Sequence, residues 1–172
     1  LRDLKARYAK QDYILFTNCH QYPSSAERVE IAHNLTRIES SRIGYAGIDY
    51  HNIINCIDGS ALNRPHLADV TIRVVCGIAD PQRFIDYVKC HYKISRIAQF
   101  PDHHSFSIAD WNHITGDLQA NEIILTTEKD WIRFQSLGLT SYRDRIYFLP
   151  IKLAIYESDY MISRFNLIFD QL

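Results

Sequence analysis

Phe100-Pro101-Asp102-His103-His104 sets a carboxylate and an imidazole immediately after a proline, at the end of an apolar run. About a helix later, Leu125-Thr126-Thr127-Glu128-Lys129-Asp130-Trp131 places hydroxyls, carboxylates and an amine after another apolar run. Histidine exchanges protons near neutral pH, so it can serve as an acid, a base or a neutral hydrogen-bond donor. Asp102 could supply charge beside His103, and Pro101 restricts the backbone that presents them. In open α/β sheets ligands sit outside the carboxyl ends of the strands. Two ionisable turns at two such ends therefore predict one shared site. Each motif also has a plainer explanation. The first reads equally as a polar surface loop. In the second, Thr127 and Asp130 account for themselves as a helix cap, with Glu128 adding favourable charge at the helix start. Lys129 is the exception, because a cation in the first turn opposes the helix dipole and suggests a partner, a phosphate among the options. A zinc site at His103 and His104 is disfavoured, since adjacent histidines rarely reach one ion and no third ligand stands at a suitable spacing.

The elements that would position these residues alternate between apolar runs and capped amphipathic segments, the pattern of an α/β fold. Tyr13 to Thr17 reads as a strand, and Ser24-Ser25-Ala26-Glu27 as a capping box opening a helix with Ile31, Leu35 and Ile38 on one face. Ile43 to Ile57 is β-rich, either one bent strand or a two-stranded ribbon, closed by the turn residues Asp58-Gly59-Ser60. Val70 to Cys76 predicts a strand that breaks at Gly77, and Asp80-Pro81 a helix with Asp80 as cap and Pro81 in its first position. Ile94 to Phe100 is the next strand. Ser107 and Asp110 then cap a helix whose stripe is Trp111, Ile114 and Leu118. Glu122 to Leu125 is a strand, and Thr127 with Asp130 forms a third box before Trp131 and Phe134. Arg145 to Leu149 is a last strand stopped by Pro150, and a closing helix from about Ser158 aligns Met161, Phe165, Ile168 and Leu172. From Val70 onward, strands alternate with helices, which favours a mostly parallel sheet.

Composition narrows the function classes. The 172 residues are 47% hydrophobic and 23% charged, enough for one soluble domain or one domain with an appendage. A net charge of -1 supplies no basic field, so nucleic acid is not an expected partner. Cys19, Cys56, Cys76 and Cys90 lack zinc-ligand spacing and read as free thiols in a reducing compartment. No window approaches 18 consecutive apolar residues, and no signal-peptide pattern is recognised. A start at Leu1 rather than methionine is what a fragment or processed product would show. Gly77-Ile78-Ala79-Asp80-Pro81 resembles a ligand-binding turn, yet the chain contains neither GxGxxG nor GxxxxGK[ST], and no GxSxG nucleophile.

Four motifs in order resemble one family. They are Cys76-Gly77-Ile78-Ala79-Asp80-Pro81-Gln82-Arg83-Phe84, Phe100-Pro101-Asp102-His103-His104-Ser105-Phe106, Thr126-Thr127-Glu128-Lys129-Asp130 and Tyr147-Phe148-Leu149-Pro150-Ile151. The set is similar to the C-terminal half of the tetraacyldisaccharide 4'-kinases, the lipid A 4'-kinases. Leu1-Arg2-Asp3 is similar to that family's Leu-Arg-Glu junction, with Asp3 one methylene shorter than the usual glutamate. The resemblance is weakest from Ser40 to Asp69.

It implies a P-loop-related kinase lobe, with residues 1–69 as the end of the N-terminal lobe plus a linking β-ribbon near 43–57, and 70–172 as the C-terminal α/β lobe. It also implies transfer of the γ-phosphate of ATP to the 4'-hydroxyl of a tetraacyldisaccharide 1-phosphate. ATP and Mg2+ would be held by an N-terminal half that has no counterpart here, so this chain alone is expected to be inactive. The implied partners are the lipid A disaccharide precursor and, for the full protein, the cytoplasmic face of the bacterial inner membrane, with this chain itself soluble. Among site residues the resemblance implies His103 and Asp102 as the catalytic pair, with Arg2, Asp3 and Lys129 lining the site. Two other classes compete: a free-standing non-catalytic remnant or binding module of the same fold, and a small α/β hydrolase using His103.

Overall fold

The computed structural model describes residues 13–35, 39–62, 69–139 and 141–156. Its elements run β1 (Ile14–Cys19), α1 (Ser25–Asn34), β2 (Ile43–Tyr50), β3 (Ile54–Asn55), β4 (Thr71–Cys76), α2 (Gln82–His91), β5 (Ile94–Gln99), α3 (Ile108–Thr115), β6 (Glu122–Thr127), α4 (Glu128–Gln135), β7 (Ile146–Leu149) and β8 (Ile151–Ile155). Contacts divide the chain into two units, Tyr50–Pro150 and Leu1–Asp49 with Ile151–Leu172. This division differs from a linear one at residue 69, because the chain returns to the first unit after Pro150.

Tyr50–Pro150 is built on a five-stranded sheet in the order β3-β7-β6-β4-β5. β4 pairs in parallel with β5 and β6, and β6 in parallel with β7, while β3 joins the edge antiparallel to β7. Alternate side chains feed two cores, as a parallel sheet covered on both faces requires. Ile72, Val74 and Cys76 of β4 and Ile123 and Leu125 of β6 pack with Phe84, Ile85 and Val88 of α2. Val75, Ile124 and Ile146 face the other way, against Trp111 and Ile114 of α3 and Trp131 and Phe134 of α4. The predicted α/β class and parallel sheet are therefore present.

Strand order carries a functional consequence. The chain leaves β4 for its neighbour β5, then crosses back past β4 to β6 and continues outward to β7. The helices after β4 and after β6 consequently lie on opposite faces. A crevice is expected between the carboxyl ends of two such strands, where the winding direction reverses.

The other unit holds a three-stranded sheet, β1-β2-β8. β1 and β2 pair in parallel from Ile14↔Ile43 to Cys19↔Gly47, with an irregularity after Phe16. Leu35, Ile43 and Tyr45 form its small core with Ile14, Phe16, Ile31 and Tyr156. The box of Ser24 and Glu27 caps α1 as predicted.

Several local expectations need correction. Ile43 to Ile57 is neither a bent strand nor a ribbon, because β2 joins one sheet and β3 the other. β7 stops before Pro150 as predicted, but it is not the last strand, since β8 begins at Ile151, in the other sheet. Asp80 does not cap α2. The first helical bond is accepted by the Pro81 carbonyl, from Ile85 N–H at 2.9 Å, which puts the cap position at Pro81, and no side chain caps the helix. Ile38 and the closing helix predicted from about Ser158 lie outside the described residues.

Candidate active site

The crevice at the strand reversal is where the predicted chemistry gathers. β4 ends at Cys76, and Phe100 N–H donates to the Cys76 carbonyl at 2.8 Å, which holds the end of β5 beside it. Pro101 to His104 then forms a tight turn closed by His104 N–H on the Pro101 carbonyl at 3.2 Å. His103 adopts the left-handed region (φ 58°), uncommon for a residue with a side chain. The Asp102 Oδ1 atom accepts from His103 N–H at 2.9 Å and so stabilises the turn from within. The imidazole stands 75% exposed, its Nε2 3.4 Å from Asp102 Oδ2. The backbone conformation turns this ring outward, where a ligand could reach it.

The third strand end supplies the anchor. Thr127 caps α4, its Oγ1 accepting from Asp130 N–H at 3.1 Å. The expected reciprocal bond is not made, because the Asp130 carboxylate turns inward instead of back to the cap. Asp130 is fully buried, and its oxygens accept from Gly77 N–H at 2.8 Å, the Thr127 hydroxyl at 2.8 Å and Arg133 Nη1 at 2.8 Å. A buried carboxylate is tolerable only when satisfied in this way. Arg133 Nη1 also donates to the Gly77 carbonyl at 2.9 Å, so both backbone polar groups of Gly77 are engaged across the crevice. A Cβ at Gly77 would lie 3.3 Å from the Pro101 carbonyl, closer than most such contacts, and 3.4 Å from Asp130 Oδ1, at the edge of ordinary contact. The three strand ends thus close on one another at Gly77.

From this anchor the charged groups reach the turn. Arg133 Nη2 lies 3.3 Å from His103 Nδ1, and Lys129 Nζ lies 3.4 Å from Asp102 Oδ1. Burial works to raise the Asp102 carboxyl, but the His103 N–H, the His103 ring and the Lys129 ammonium outweigh it and hold the group below its usual range. Lys129 is half exposed and its partner is Asp102, which answers the charge it brings to the start of a helix.

Asp102, His103 and Lys129 are therefore brought together as the sequence suggested. Arg2 and Asp3 lie outside the described residues. His104 is separate: its Nε2 is 3.1 Å from Asp110 Oδ2 and its ring stacks on Phe100 at 4.7 Å between centroids. Sequence reasoning took Asp130 for a cap alone and gave Arg133 no role in the site. Their i, i+3 spacing directly after a strand was the available signal. Among the described residues no group of three His, Cys, Asp or Glu is placed to hold a metal. A cavity of about 490 Å³ opens elsewhere, lined by Cys56, Ile57, Trp131, Phe134, Gln135, Gly138, Leu139 and Arg143. It contains no paired acid and base, whereas the turn at the strand reversal does. Cys76 beside it is no nucleophile, because burial, with Asp130 nearby, pushes its thiol up to about 12.

Known proteins resemble this chain over most of its length. The family model of the tetraacyldisaccharide-1-P 4'-kinases matches residues 1–168. A tetraacyldisaccharide 4'-kinase of Flavobacterium johnsoniae is 31% identical over 152 residues, covering 88% of this chain and 43% of its own length. The corresponding protein of Flavobacterium psychrophilum is 28% identical over 154 residues, with the same two coverages of 88% and 43%. The chain thus spans less than half the length of these relatives. Among solved structures, LpxK from Aquifex aeolicus in complex with ATP superposes with a TM-score of 0.60 at 18% identity, over 99% of this chain and 45% of that one. At that identity the likeness shows the fold alone.

Proposed function

This chain belongs to the tetraacyldisaccharide-1-P 4'-kinase family, and from that premise we propose that it is the second lobe of a lipid A 4'-kinase active site. The whole enzyme would move the γ-phosphate of ATP to the 4'-hydroxyl of a tetraacyldisaccharide 1-phosphate. The observation that carries this reading is the meeting of Asp102, His103 and Lys129 at the strand reversal, held there by Asp130 and Arg133.

Phosphoryl transfer is catalysed mainly by positioning and by stabilising charge. His103 presents a largely exposed ring whose Nε2 can hydrogen-bond the acceptor hydroxyl, or the carboxylate that activates it, in exchange for its 3.4 Å contact with Asp102. Asp102 sets the turn and pairs with the ring, and Lys129 supplies positive charge at the rim of the site. The described residues contain no phosphate cradle and no metal-holding group, so they do not themselves fit ATP or Mg2+. Those would enter through a P-loop half, and Arg2 and Asp3 of this chain would line the joined site. The compact unit Tyr50–Pro150 would then supply the second lobe's part of the site. No helix among the described residues is long and apolar enough to cross a membrane. The meeting of the full protein with the cytoplasmic face of the inner membrane is proposed as a peripheral one.

Two measurements test the proposal. The 172-residue chain should show no ATP-dependent phosphorylation of the disaccharide, and joining it to a P-loop half should create that activity. In the joined enzyme His103→Ala should lower kcat at least ~100-fold, the scale of general acid–base and positioning effects, with little change in ATP affinity. Unchanged turnover would remove His103 from the mechanism. A joined protein that folds but never turns over would favour the non-catalytic binding module.

A further inference from the structure

We infer that Arg133 is the positioning residue of this site, fixing both the direction and the tautomer of the His103 ring. The inference rests on the proposed role of His103, but its structural basis is independent of it. Arg133 comes from the last turn of α4, and its guanidinium is held at two points by rigid groups. Nη1 donates to the buried Asp130 carboxylate at 2.8 Å and to the Gly77 carbonyl at 2.9 Å. Asp130 is itself fixed by Gly77 N–H and the Thr127 hydroxyl. The plane of the guanidinium is thereby set by the ends of β4 and β6, leaving Nη2 directed at His103 Nδ1, 3.3 Å away.

Arginine only donates. The Nδ1 atom facing it must therefore accept, which puts the ring proton of the neutral imidazole on Nε2, toward Asp102 Oδ2 at 3.4 Å. An exposed histidine on a turn would otherwise sample several rotamers. Here the ring is clamped between a donor on one side and an acceptor on the other. Lysine could not replace this arrangement, because a point charge on a flexible stem has no rigid fork to span the Gly77 carbonyl, Asp130 and His103 together. The sequence spacing supports the same chain of contacts: Gly77, Asp130 and Arg133 touch only because β4 and β6 are neighbours in the sheet.

The test uses ¹⁵N-histidine-labelled chain at about pH 8, where ordinary imidazoles are neutral, with the His103 signals assigned by their loss in His103→Ala. The wild-type ring should show an Nε2-protonated tautomer and a backbone-like order parameter of ~0.8. In Arg133→Lys, which keeps a cation beside Asp130, the His103 order parameter should fall below ~0.6 and its Nδ1 resonance should move to that of a free imidazole. A mobile or Nδ1-protonated ring in the wild type overturns the inference without any variant. Unchanged His103 signals in Arg133→Lys overturn it also. In the joined kinase Arg133→Lys should lose ~10- to 100-fold in kcat while the KM for ATP stays within about twofold. Loss of ring order with no effect of His103→Ala on turnover would refute the proposed function and leave the positioning contact standing.

Discussion

His103 combines an unfavourable backbone with a favourable surrounding. A side chain in the left-handed region costs on the order of 1–2 kcal/mol, and the turn from Pro101 to His104 accepts that cost. Strain of this kind persists where neighbours over-determine it, here through the Asp102 side chain on the His103 N–H and Arg133 on the ring. His103→Ala keeps the strain and loses the ring, whereas His103→Gly loses both. His103→Gly should therefore be more stable than His103→Ala by ~1 kcal/mol in chemical denaturation, while neither restores turnover. The ionisable pair itself was legible in the sequence, as were Lys129 and the proline before them. The left-handed turn was not, because histidine does not announce a positive φ as glycine does.

At the level of elements, the site depends on how α4 begins. Thr127 serves two roles there, capping Asp130 N–H and donating to the carboxylate that holds Gly77. Thr127→Ala should cost ~1–2 kcal/mol of stability, the upper part of the usual range for a lost cap. Thr127→Ser should recover most of it, since the hydroxyl is what matters. A cost below ~0.5 kcal/mol in thermal or urea unfolding would show that the cap contributes little. The capping boxes at Ser24 and Ser107 were readable from spacing because both of their bonds are local. The third was misread for the opposite reason: the partner that draws Asp130 away from the cap is Gly77, 53 residues earlier in the chain. The same limit explains β8 and the false ribbon. Sheet membership depends on long-range pairing, which alternation within a segment does not encode.

For the molecule as a whole, charge is arranged at both ends of the large sheet. Away from the site, the buried Arg73 guanidinium donates to Glu122 Oε2 at 2.8 Å and to the Ile114 carbonyl at 2.6 Å, and pairs with Asp117. Burial works to raise the Glu122 carboxyl, yet the Ser95 hydroxyl, the Gln119 N–H and Arg73 hold it below its ordinary value. The Arg73 hydrogen bond does the same to Asp117. Because these folded-state values are depressed, the unfolded chain binds more protons in acid. Their stabilisation is complete above the ordinary carboxylate range near ~4 and is lost as pH falls through the lower folded values. The melting temperature should thus be level from about pH 7 to 5 and fall below about pH 4. Glu122→Gln should lower it at neutral pH, by leaving Arg73 underpaired, and flatten that acid slope. A slope unchanged by Glu122→Gln would assign the acid sensitivity to other carboxylates.

What the sequence determined unaided is local chemistry: the alternation of strands and helices, two capping boxes, the Asp102-His103 pair after Pro101 and the family resemblance those motifs carry in order. What only the tertiary structure decided is adjacency. β4 and β6 became neighbours although α2, β5 and α3 lie between them, and that one pairing brought Gly77 to Asp130 and Arg133 to His103. Composition and spacing act over a few residues, whereas the order of strands is settled by which faces the helices can bury together.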